Sequence, residues 1–500
     1  MDDYWGVHGQ PNTWGDASEE VFSLSEHVTQ SLLGRANDAF QTQPVELLHA
    51  AVLQSFRQIF TDRPTPVIFN EGHGREPWDS RIDLTRSVGW FTTFWPIDIQ
   101  IQPEDDVLEI ARRVKDGRRR VSGSGWRYFA SRYLHQDGVA AFGTAHPLEI
   151  SFNYHPGLSQ HSASLLQYSP ITKGELLNMP QKMPRFALID VLADVSDSRL
   201  YFNSRLSFTF IFNRLMRYQS EIRKWIQNCK LCLEHTALEL IQKSTVFTLS
   251  DFPLLSYSYP ELDAFVNQVI SPLETDNLEV EDAYPCTPIQ EGMLLSQAKD
   301  PAQYFNKWYL GFHARNGSAV DPARLMRAWQ QVLHRHPLLR TVFFDSPSPN
   351  SSQDQLVLKK APSEFCVILP NDNDPLERLL EHQPFAIRYL RPHNRLVICG
   401  SSTGKTVCMF EISHTIIDGI SRQILLRDLG FAYDDQLDPT PRTAYREYVE
   451  FIHHQSMGDA RTYWGDYLRA AEPCFLQKSP VRQLVGAPIQ RREFHFALSS

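Results

Sequence analysis

One histidine stands where an enzyme could use it. His414 lies in the sequence SHTIIDG at positions 413–419. The apolar run 407–412 before it predicts a buried strand, and apolar residues at helical spacing over 420–429 predict a helix after it. An imidazole at a strand end can face a cleft. Because it titrates near neutral pH, it can take a proton from an attacking amine or hydroxyl.

The spacing alone leaves two interpretations of this histidine. Asp418 stands at the expected helix start, where an aspartate caps a helix and fixes the local backbone, so a structural role suits it better than a catalytic one. The pattern His-x-x-x-Asp-Gly is weak in a chain with 18 His and 24 Gly, and a histidine in a packed core would satisfy it equally. The surrounding elements must decide.

A second candidate group lies nearer the N-terminus. A predicted strand at 67–70 leads into the sequence EGHGRE at 71–76, where two glycines would let the backbone bend sharply around ionisable side chains, beginning with Glu71. A solvated charged turn is the alternative. The alternating segment 148–154 predicts a strand that brings Asn153 or Tyr154 to its end.

Further elements divide the chain into modules. The spacing predicts helices over 44–60, 107–114, 214–242 and 321–334, and strands over 148–154, 200–203 and 206–210. The aromatic segment 88–96 is expected to be a strand plus a turn packed in the core. Residues 244–283 have low periodicity and proline-punctuated ends, which indicates an ordered linker with a short helix near 262–270. A new module begins at residue 284.

Composition bounds the class of protein. Five hundred residues at 42% hydrophobic suffice for several cores. A net charge of -9 and the lack of a basic tract argue against nucleic acid as a partner. Neither a signal peptide nor a membrane span is apparent, so we expect a cytoplasmic protein. Seven scattered cysteines fit reduced thiols, and the lone pair Cys229 and Cys232 is a weak metal signal, so we expect no metal.

Three segments of the second module resemble motifs of one enzyme family. YPCTPIQEGM at 284–293, HPLLRTVF at 336–343 and the His414 segment resemble, in order and spacing, the first three motifs of a nonribosomal peptide synthetase condensation domain. The sequence YWGDYL at 463–468 resembles the stretch that follows in that family.

The first module resembles the same superfamily in another form. The segments 71–76, 86–96 and 152–154 are similar to the later motifs of an epimerization domain. SDFPL at 250–254 is similar to linkers that join an epimerization domain to the next condensation domain. The resemblance thus covers nearly the whole chain and implies residues 1–243 as the C-terminal lobe of an epimerization domain, 244–283 as an interdomain linker, and 284–500 as the N-terminal lobe of a condensation domain with the start of its second lobe.

The resemblance also implies a fold and partners. The expected fold is α/β and chloramphenicol-acetyltransferase-like, with two lobes forming a V. Substrates would reach the cleft on 4′-phosphopantetheine arms of carrier domains, with adjoining adenylation domains as further partners and no cofactor bound directly. In this family the motif histidine belongs to the first lobe, so we expect a middle segment of a larger, fungal-type synthetase of secondary metabolism.

The family's functional residues carry over to matching positions. Glu71 matches the glutamate that exchanges the proton at the α-carbon, and Asn153 and Tyr154 match cleft residues. His414 matches the condensation histidine that positions or deprotonates the acceptor. The resemblance further implies an ion pair between Asp418 and Arg340, with Gly419 completing the motif. A buried carboxylate would need such a cationic partner.

Ser413 departs from the family pattern, which has a second histidine there. With Ser421 beyond it, the segment resembles terminal condensation-like domains of fungal synthetases that release products by macrocyclisation, so both peptide extension and cyclising release remain open. Two other classes also remain: a free-standing acyltransferase that uses coenzyme A, and a non-catalytic remnant or docking piece.

Overall fold

The computed structural model describes most of the chain. The described residues are 3–75, 81–102, 104–142, 148–156, 179–196, 205–313, 319–362, 366–370, 372–383, 385–440 and 442–471. Residues 3–442 belong to one compact unit, and a second unit begins at Thr443. The predicted strand at 200–203 lies outside the described residues.

The first module is a sheet covered by helices. Its strands are β1 (Ala17–Ser23), β2 (Ile68–His73), β3 (Thr92–Ile97), β4 (Leu148–His155), β5 (Ala187–Ser196) and β6 (Arg205–Asn213). Its helices are α1 (Glu26–Leu33), α2 (Pro44–Ile59), α3 (Val107–Arg119), α4 (Trp126–Leu134), α5 (Gln136–Phe142) and α6 (Gln219–Ile241). The strand order is β1-β6-β5-β4-β2-β3. β4 runs parallel to both β2 and β5, whereas the other neighbours are antiparallel.

Helix α2 forms the centre of this module because its sequence fits a buried helix. Pro44 occupies the first turn, where its missing N–H costs nothing. The Glu46 carboxylate accepts a hydrogen bond from the backbone N–H of Gln43 at 2.7 Å and so closes a capping box. Trp225 of α6 packs edge-on against Phe56, and both are fully buried. The two helices together cover one face of the sheet core.

Most predicted elements of this module are confirmed, with three differences. The 107–114 helix continues to Arg119, and the 214–242 helix begins only at Gln219, after Tyr218 at a left-handed φ of 64°. The predicted turn beginning at Glu71 is wrong. Residues 71–73 remain in β2 because they pair with β3, Glu71 opposite Phe94.

The linker is a folded layer. It contains α7 (Tyr259–Phe265), a π-helical turn over Val266–Ile270, α8 (Ser271–Thr275) and β7 (Val280–Pro285). Its apolar side chains form a cluster with residues of two strands of the second module, and Phe265 stacks on Phe344 at 5.1 Å between ring centroids. The expected boundary at 283/284 falls inside β7, so strand pairing joins the linker to the second module.

The second module contains two sheets. Its remaining elements in the compact unit are α9 (Pro288–Lys299), β8 (Phe305–Phe312), α10 (Pro322–Arg335), β9 (Thr341–Asp345), β10 (Gln353–Leu358), β11 (Cys366–Leu369), α11 (Pro375–Leu380), β12 (Asn394–Gly400), β13 (Thr406–Ser413) and α12 (Gly419–Tyr433). The antiparallel sheet β7-β10-β9 contains the linker strand. The second sheet has the order β11-β12-β13-β8, with β11 and β12 parallel. Thus β13, which precedes His414, lies between two partners.

The second unit is helical where it is described. It contains α13 (Tyr445–His453) and α14 (Met457–Tyr467), and the latter includes most of the YWGDYL segment. Within the described ranges, none of the helices has both the length and the apolar character that a membrane crossing requires. The α/β fold class predicted from the sequence is confirmed.

Candidate functional site

His414 lies at the junction predicted for it. Every residue of β13 is buried, which explains its largely apolar sequence, and the strand ends at Ser413. His414 follows, half-buried, and α12 begins at Gly419. The backbone N–H of His414 donates to the carbonyl of Tyr304 at 2.7 Å, so the turn is attached to the segment before β8.

The hydrogen bonding of the imidazole fixes its tautomer. Nδ1 of His414 lies 2.9 Å from the carbonyl oxygen of Ile417. A carbonyl oxygen can only accept, so Nδ1 must carry the proton in the neutral ring. Nε2 is then left with its lone pair. The arrangement therefore presents a base at Nε2 and holds the ring by its other nitrogen.

Asp418 is a helix cap, as its position predicted. Its Oδ1 accepts hydrogen bonds at 2.7 Å from both the backbone N–H and the hydroxyl of Ser421. These bonds hold the pKa of the Asp418 carboxyl below its usual value, because they favour the charged form. The space around a Cβ at Gly419 is open, so no close neighbour requires glycine there.

The ion pair expected between Asp418 and Arg340 is wrong. Arg340 is 3% exposed and pairs with Glu281 of β7 at 2.6 Å, while its Nε donates to the carbonyl of Leu333 at 2.9 Å. Asp418 is exposed to solvent and already accepts two hydrogen bonds, so it does not need a buried cation. Arg340 joins the linker strand to the second module.

Ser413 is a buried structural residue. Its side chain is 0% exposed. Its hydroxyl oxygen accepts from Nε2 of Gln297 at 2.8 Å and from the backbone N–H of Thr415 at 3.2 Å, and it lies 2.8 Å from the hydroxyl of Thr415. Two accepted bonds and one donated bond use the full capacity of a hydroxyl. Ser413 therefore does not face the cleft in which His414 would act.

The motif at 284–293 packs against the turn that contains His414. Thr287 caps α9 by accepting from the backbone N–H of Gln290 at 3.4 Å. The Gln290 amide, 3% exposed, donates to the carbonyl of Thr415 at 3.0 Å and to Oε1 of Gln355 at 3.2 Å. The sequence marked this segment only through its resemblance, and the structure shows that it contacts the residue after His414.

The first module brings Glu71 and Asn153 together. Glu71 is in β2 and Asn153 in the parallel neighbour β4, so both lie near the carboxyl ends of their strands. The side-chain amide of Asn153 donates to Oε2 of Glu71 at 2.7 Å. Glu71 and His414 belong to different sheets of the compact unit.

Tyr154 lies on the opposite face from Asn153, because side chains alternate along a strand. It is partly buried against the helix-covered core of the first module, and burial raises its pKa. The structure thus brings only one of the two expected cleft residues of β4 to Glu71.

In the EGHGRE segment, the neighbouring backbone lies too close to Gly74 for a side chain. A Cβ at Gly74 would come within 2.6 Å of the Phe91 carbonyl oxygen, so only glycine fits without movement. The next residue, Arg75, donates to the carbonyls of Leu84 and Ser87 at 2.8 and 2.7 Å, and its guanidinium lies over the Phe91 ring. Glu76 lies outside the described residues. Of the aromatic segment expected in the core, Trp95 is buried, whereas Trp90 is 87% exposed.

Sequence reasoning missed a second pair at the same sheet edge. His155 lies opposite Asp194 in the β4–β5 ladder, and its Nδ1 is 2.8 Å from Oδ1 of Asp194. The hydrogen bond to Asp194 raises the pKa of His155. The carboxyl ends of the parallel strands β4 and β5 are neighbours, so the placement of the strands could have indicated this pair. The sequence before Asp194 contains no motif that marks it. Among the described side chains, no group of three His, Cys, Asp or Glu could hold a metal ion.

The chain is similar in sequence to several known proteins. Residues 280–497 match the family model of the condensation domain. Over 94% of its length the chain is 40% identical to nonribosomal peptide synthetase fmqA of Aspergillus fumigatus, of which it covers 12%, and 42% identical to nonribosomal peptide synthetase ungA' of Aspergillus campestris, of which it covers 5%. The epimerization domain from the third module of tyrocidine synthetase B has a TM-score of 0.39 and 23% identity, with 46% of this chain and 50% of that chain covered.

The segment 280–497 is thus similar to condensation domains, and the chain is similar over 94% of its length to nonribosomal peptide synthetases. The chain as a whole is related to fungal members of that class, and it spans only a small fraction of their length.

Proposed function

We propose that the second module provides the base of an acyl-transfer site that forms a peptide bond between carrier-tethered substrates. The observation that carries this proposal is the hydrogen bond from Nδ1 of His414 to the Ile417 carbonyl at 2.9 Å. It leaves Nε2 as an acceptor on a half-buried ring, which is the state that a general base needs.

With His414 as the base, every bond and proton of the transfer is accounted for. The acceptor amine attacks the carbonyl carbon of the donor thioester while His414 Nε2 takes the amine proton. The C–S bond then breaks, and the departing sulfur takes the proton back from the imidazolium. The products are an amide and a free thiol. The donor and acceptor arrive on phosphopantetheine arms of carrier domains after adenylation domains have loaded them, and the reaction takes place in the cytoplasm.

Product analysis of a synthetase that contains this sequence tests the assignment. His414→Ala should abolish the amide or ester product and leave aminoacyl loading of the carrier domains unchanged. Product formation at the wild-type rate would remove His414 from the mechanism.

We further propose that the first module contributes to exchange of the proton at a substrate α-carbon. The bond from Asn153 to Glu71 at 2.7 Å supports this role, because it positions the carboxylate that would exchange the proton. In this interpretation residues 1–243 are the C-terminal lobe of an epimerization domain.

Extension and cyclising release differ in the acceptor and share the same base. Ser413 is buried and fully hydrogen-bonded, so its side chain is not exposed to either acceptor. The acceptor found in the product distinguishes the two, as does the domain that follows: an adenylation domain downstream would contradict release at this site. Transfer from free coenzyme A thioesters without carrier domains would instead support the acyltransferase alternative.

A further inference from the structure

Helix α9 contacts the chain on both sides of His414. Gln290 and Gln297 are two helical turns apart on α9, so their side chains share a face. Both are at least 95% buried. Gln290 donates to the carbonyl of Thr415 at 3.0 Å, and Gln297 donates to the hydroxyl of Ser413 at 2.8 Å. One helix face thus holds the residue before the histidine and the residue after it.

Gln297 also reaches the anchor of the His414 backbone. Its Nε2 donates to the Tyr304 carbonyl at 3.4 Å, and the same carbonyl accepts the His414 N–H at 2.7 Å. Tyr304 has a left-handed φ of 54°, which few residues other than glycine adopt. The residue that provides the shared carbonyl therefore has an unusual backbone conformation. Because a carbonyl only accepts, the Gln297 amide must turn its NH₂ group toward it.

The other end of the Gln297 amide makes no such contact. Its Oε1 is buried and has no hydrogen-bond partner among the residues that the structure describes. An unpaired buried acceptor is unfavourable. The position of the Gln297 side chain is therefore determined by the two hydrogen bonds that its NH₂ group donates.

We propose that Gln297 is a positioning residue for His414. It holds Ser413 and the Tyr304 carbonyl together, so it sets where the backbone of His414 leaves β13 and where the imidazole can meet the Ile417 carbonyl. The inference rests on the proposed role of His414. It adds Gln297 as the residue that keeps the His414 ring in position. The Ser413 hydroxyl takes part as an acceptor for Gln297.

Steady-state kinetics of a synthetase containing this sequence test the inference. Gln297→Met keeps the length of the side chain and removes both donors. We expect kcat to fall about 10- to 100-fold, because small displacements of a catalytic group have effects of this size. KM should change less than about twofold, since Gln297 does not touch the substrate. Gln303→Met, an exposed glutamine one residue before Tyr304, is the matched control and should retain full activity.

A spectroscopic measurement on the 500-residue chain separates positioning from loss of fold. With ¹⁵N-labelled histidine, and with His414→Ala to assign the signal, wild-type His414 should show the Nδ1-protonated tautomer. Gln297→Met, or Gln297→Glu if the first variant misfolds, should give a mixture of tautomers. Unchanged kcat together with an unchanged tautomer would overturn the inference. Product formation at the wild-type rate by His414→Ala would instead overturn the proposed function.

Discussion

The carbonyl of Ile417 determines which nitrogen of His414 can act. It accepts from Nδ1 and leaves Nε2 available, although it lies only three residues along the chain. The spacing His-x-x-x-Asp thereby acquires a physical reason. The residues between the histidine and the cap form a turn that returns a carbonyl to the ring, and Asp418 ends that turn by starting α12. Asp418 acts on the histidine through the backbone.

Removing the cap tests this role of Asp418. Asp418→Ala should destabilise the first turn of α12 by about 1 kcal/mol, because two bonds to Ser421 are lost. Hydrogen exchange at the Ser421 amide measures this locally. Asp418→Asn keeps an acceptor and should show much less effect.

The same cap should depend on pH. The pKa of Asp418 is lowered in the fold, so its stabilising contribution is complete above the ordinary value of 3.8 and declines as the pH falls below it. The protection factor of the Ser421 amide, which corrects for the pH dependence of intrinsic exchange, should therefore fall in acid in the wild type and change little in Asp418→Ala. Equal acid sensitivity in both proteins would contradict the capping role.

At the element scale, buried strands and capped helices could be predicted from the sequence. β13 and α12 follow from an apolar run and a helical spacing, and α2 follows from Pro44 and its periodic apolar face. The contacts that complete the site could not be predicted in this way. Tyr304 contacts the His414 backbone, and Gln297 contacts Ser413 and Tyr304, through the packing of α9 and of the segment before β8. Their side-chain types carry no local signal.

The Asp418–Arg340 error has the same cause. The resemblance supplied two charged residues, and the partner of each depends on tertiary placement. Arg340 lies beside β7, whose Glu281 is nearer, and Asp418 is at an exposed helix start. Similarly, the extent of β2 through Glu71 depends on pairing with β3, which propensity does not show.

A buried ion pair attaches the linker to the first module. Lys115 of α3 is fully buried, and its Nζ lies 2.6 Å from Oδ1 of Asp251 and donates to the Phe40 carbonyl at 2.6 Å. Burial lowers the pKa of this lysine, whereas Asp251 favours its charged form. The neighbouring Asp116 accepts from the backbone N–H groups of Leu249 and Ser250.

Asp251→Ala should therefore destabilise the chain by about 3–5 kcal/mol, because it leaves a buried ammonium without its partner. Lys115→Met should be milder, and adding it to Asp251→Ala should recover part of the loss. Denaturant unfolding measures these effects. Glu20→Ala breaks an exposed ion pair with Arg223 and should change stability by less than about 1 kcal/mol. A small effect of Asp251→Ala would show that the ion pair between Lys115 and Asp251 does not stabilise the attachment of the linker to the first module.

At the scale of the whole molecule, the two candidate sites belong to different sheets joined by a folded linker. Lys115 and Asp251 attach the linker on one side, and Arg340 and Glu281 attach it on the other. The resemblance assigns the sites to lobes of two different domains. Large apolar side chains are exposed on both modules, including Trp90 and Ile420, as expected if each lobe packs against another in its domain.

The 500-residue chain should not epimerize a carrier-bound aminoacyl thioester. The family resemblance pairs the glutamate at Glu71 with a histidine from a first lobe, and the motif histidine of this chain, His414, lies in the other module. Chiral analysis of the thioester after incubation with the purified chain checks this. Scrambling of the α-carbon configuration would contradict it, and Glu71→Gln would show whether Glu71 caused that exchange.

His414 is the proposed base of acyl transfer. The most direct test is a single-turnover reaction in a synthetase containing this sequence, with donor and acceptor carriers loaded beforehand so that adenylation is bypassed. His414→Ala should slow amide or ester formation about 10²- to 10⁴-fold, the usual contribution of general base catalysis. A rate equal to that of the wild type would contradict the account.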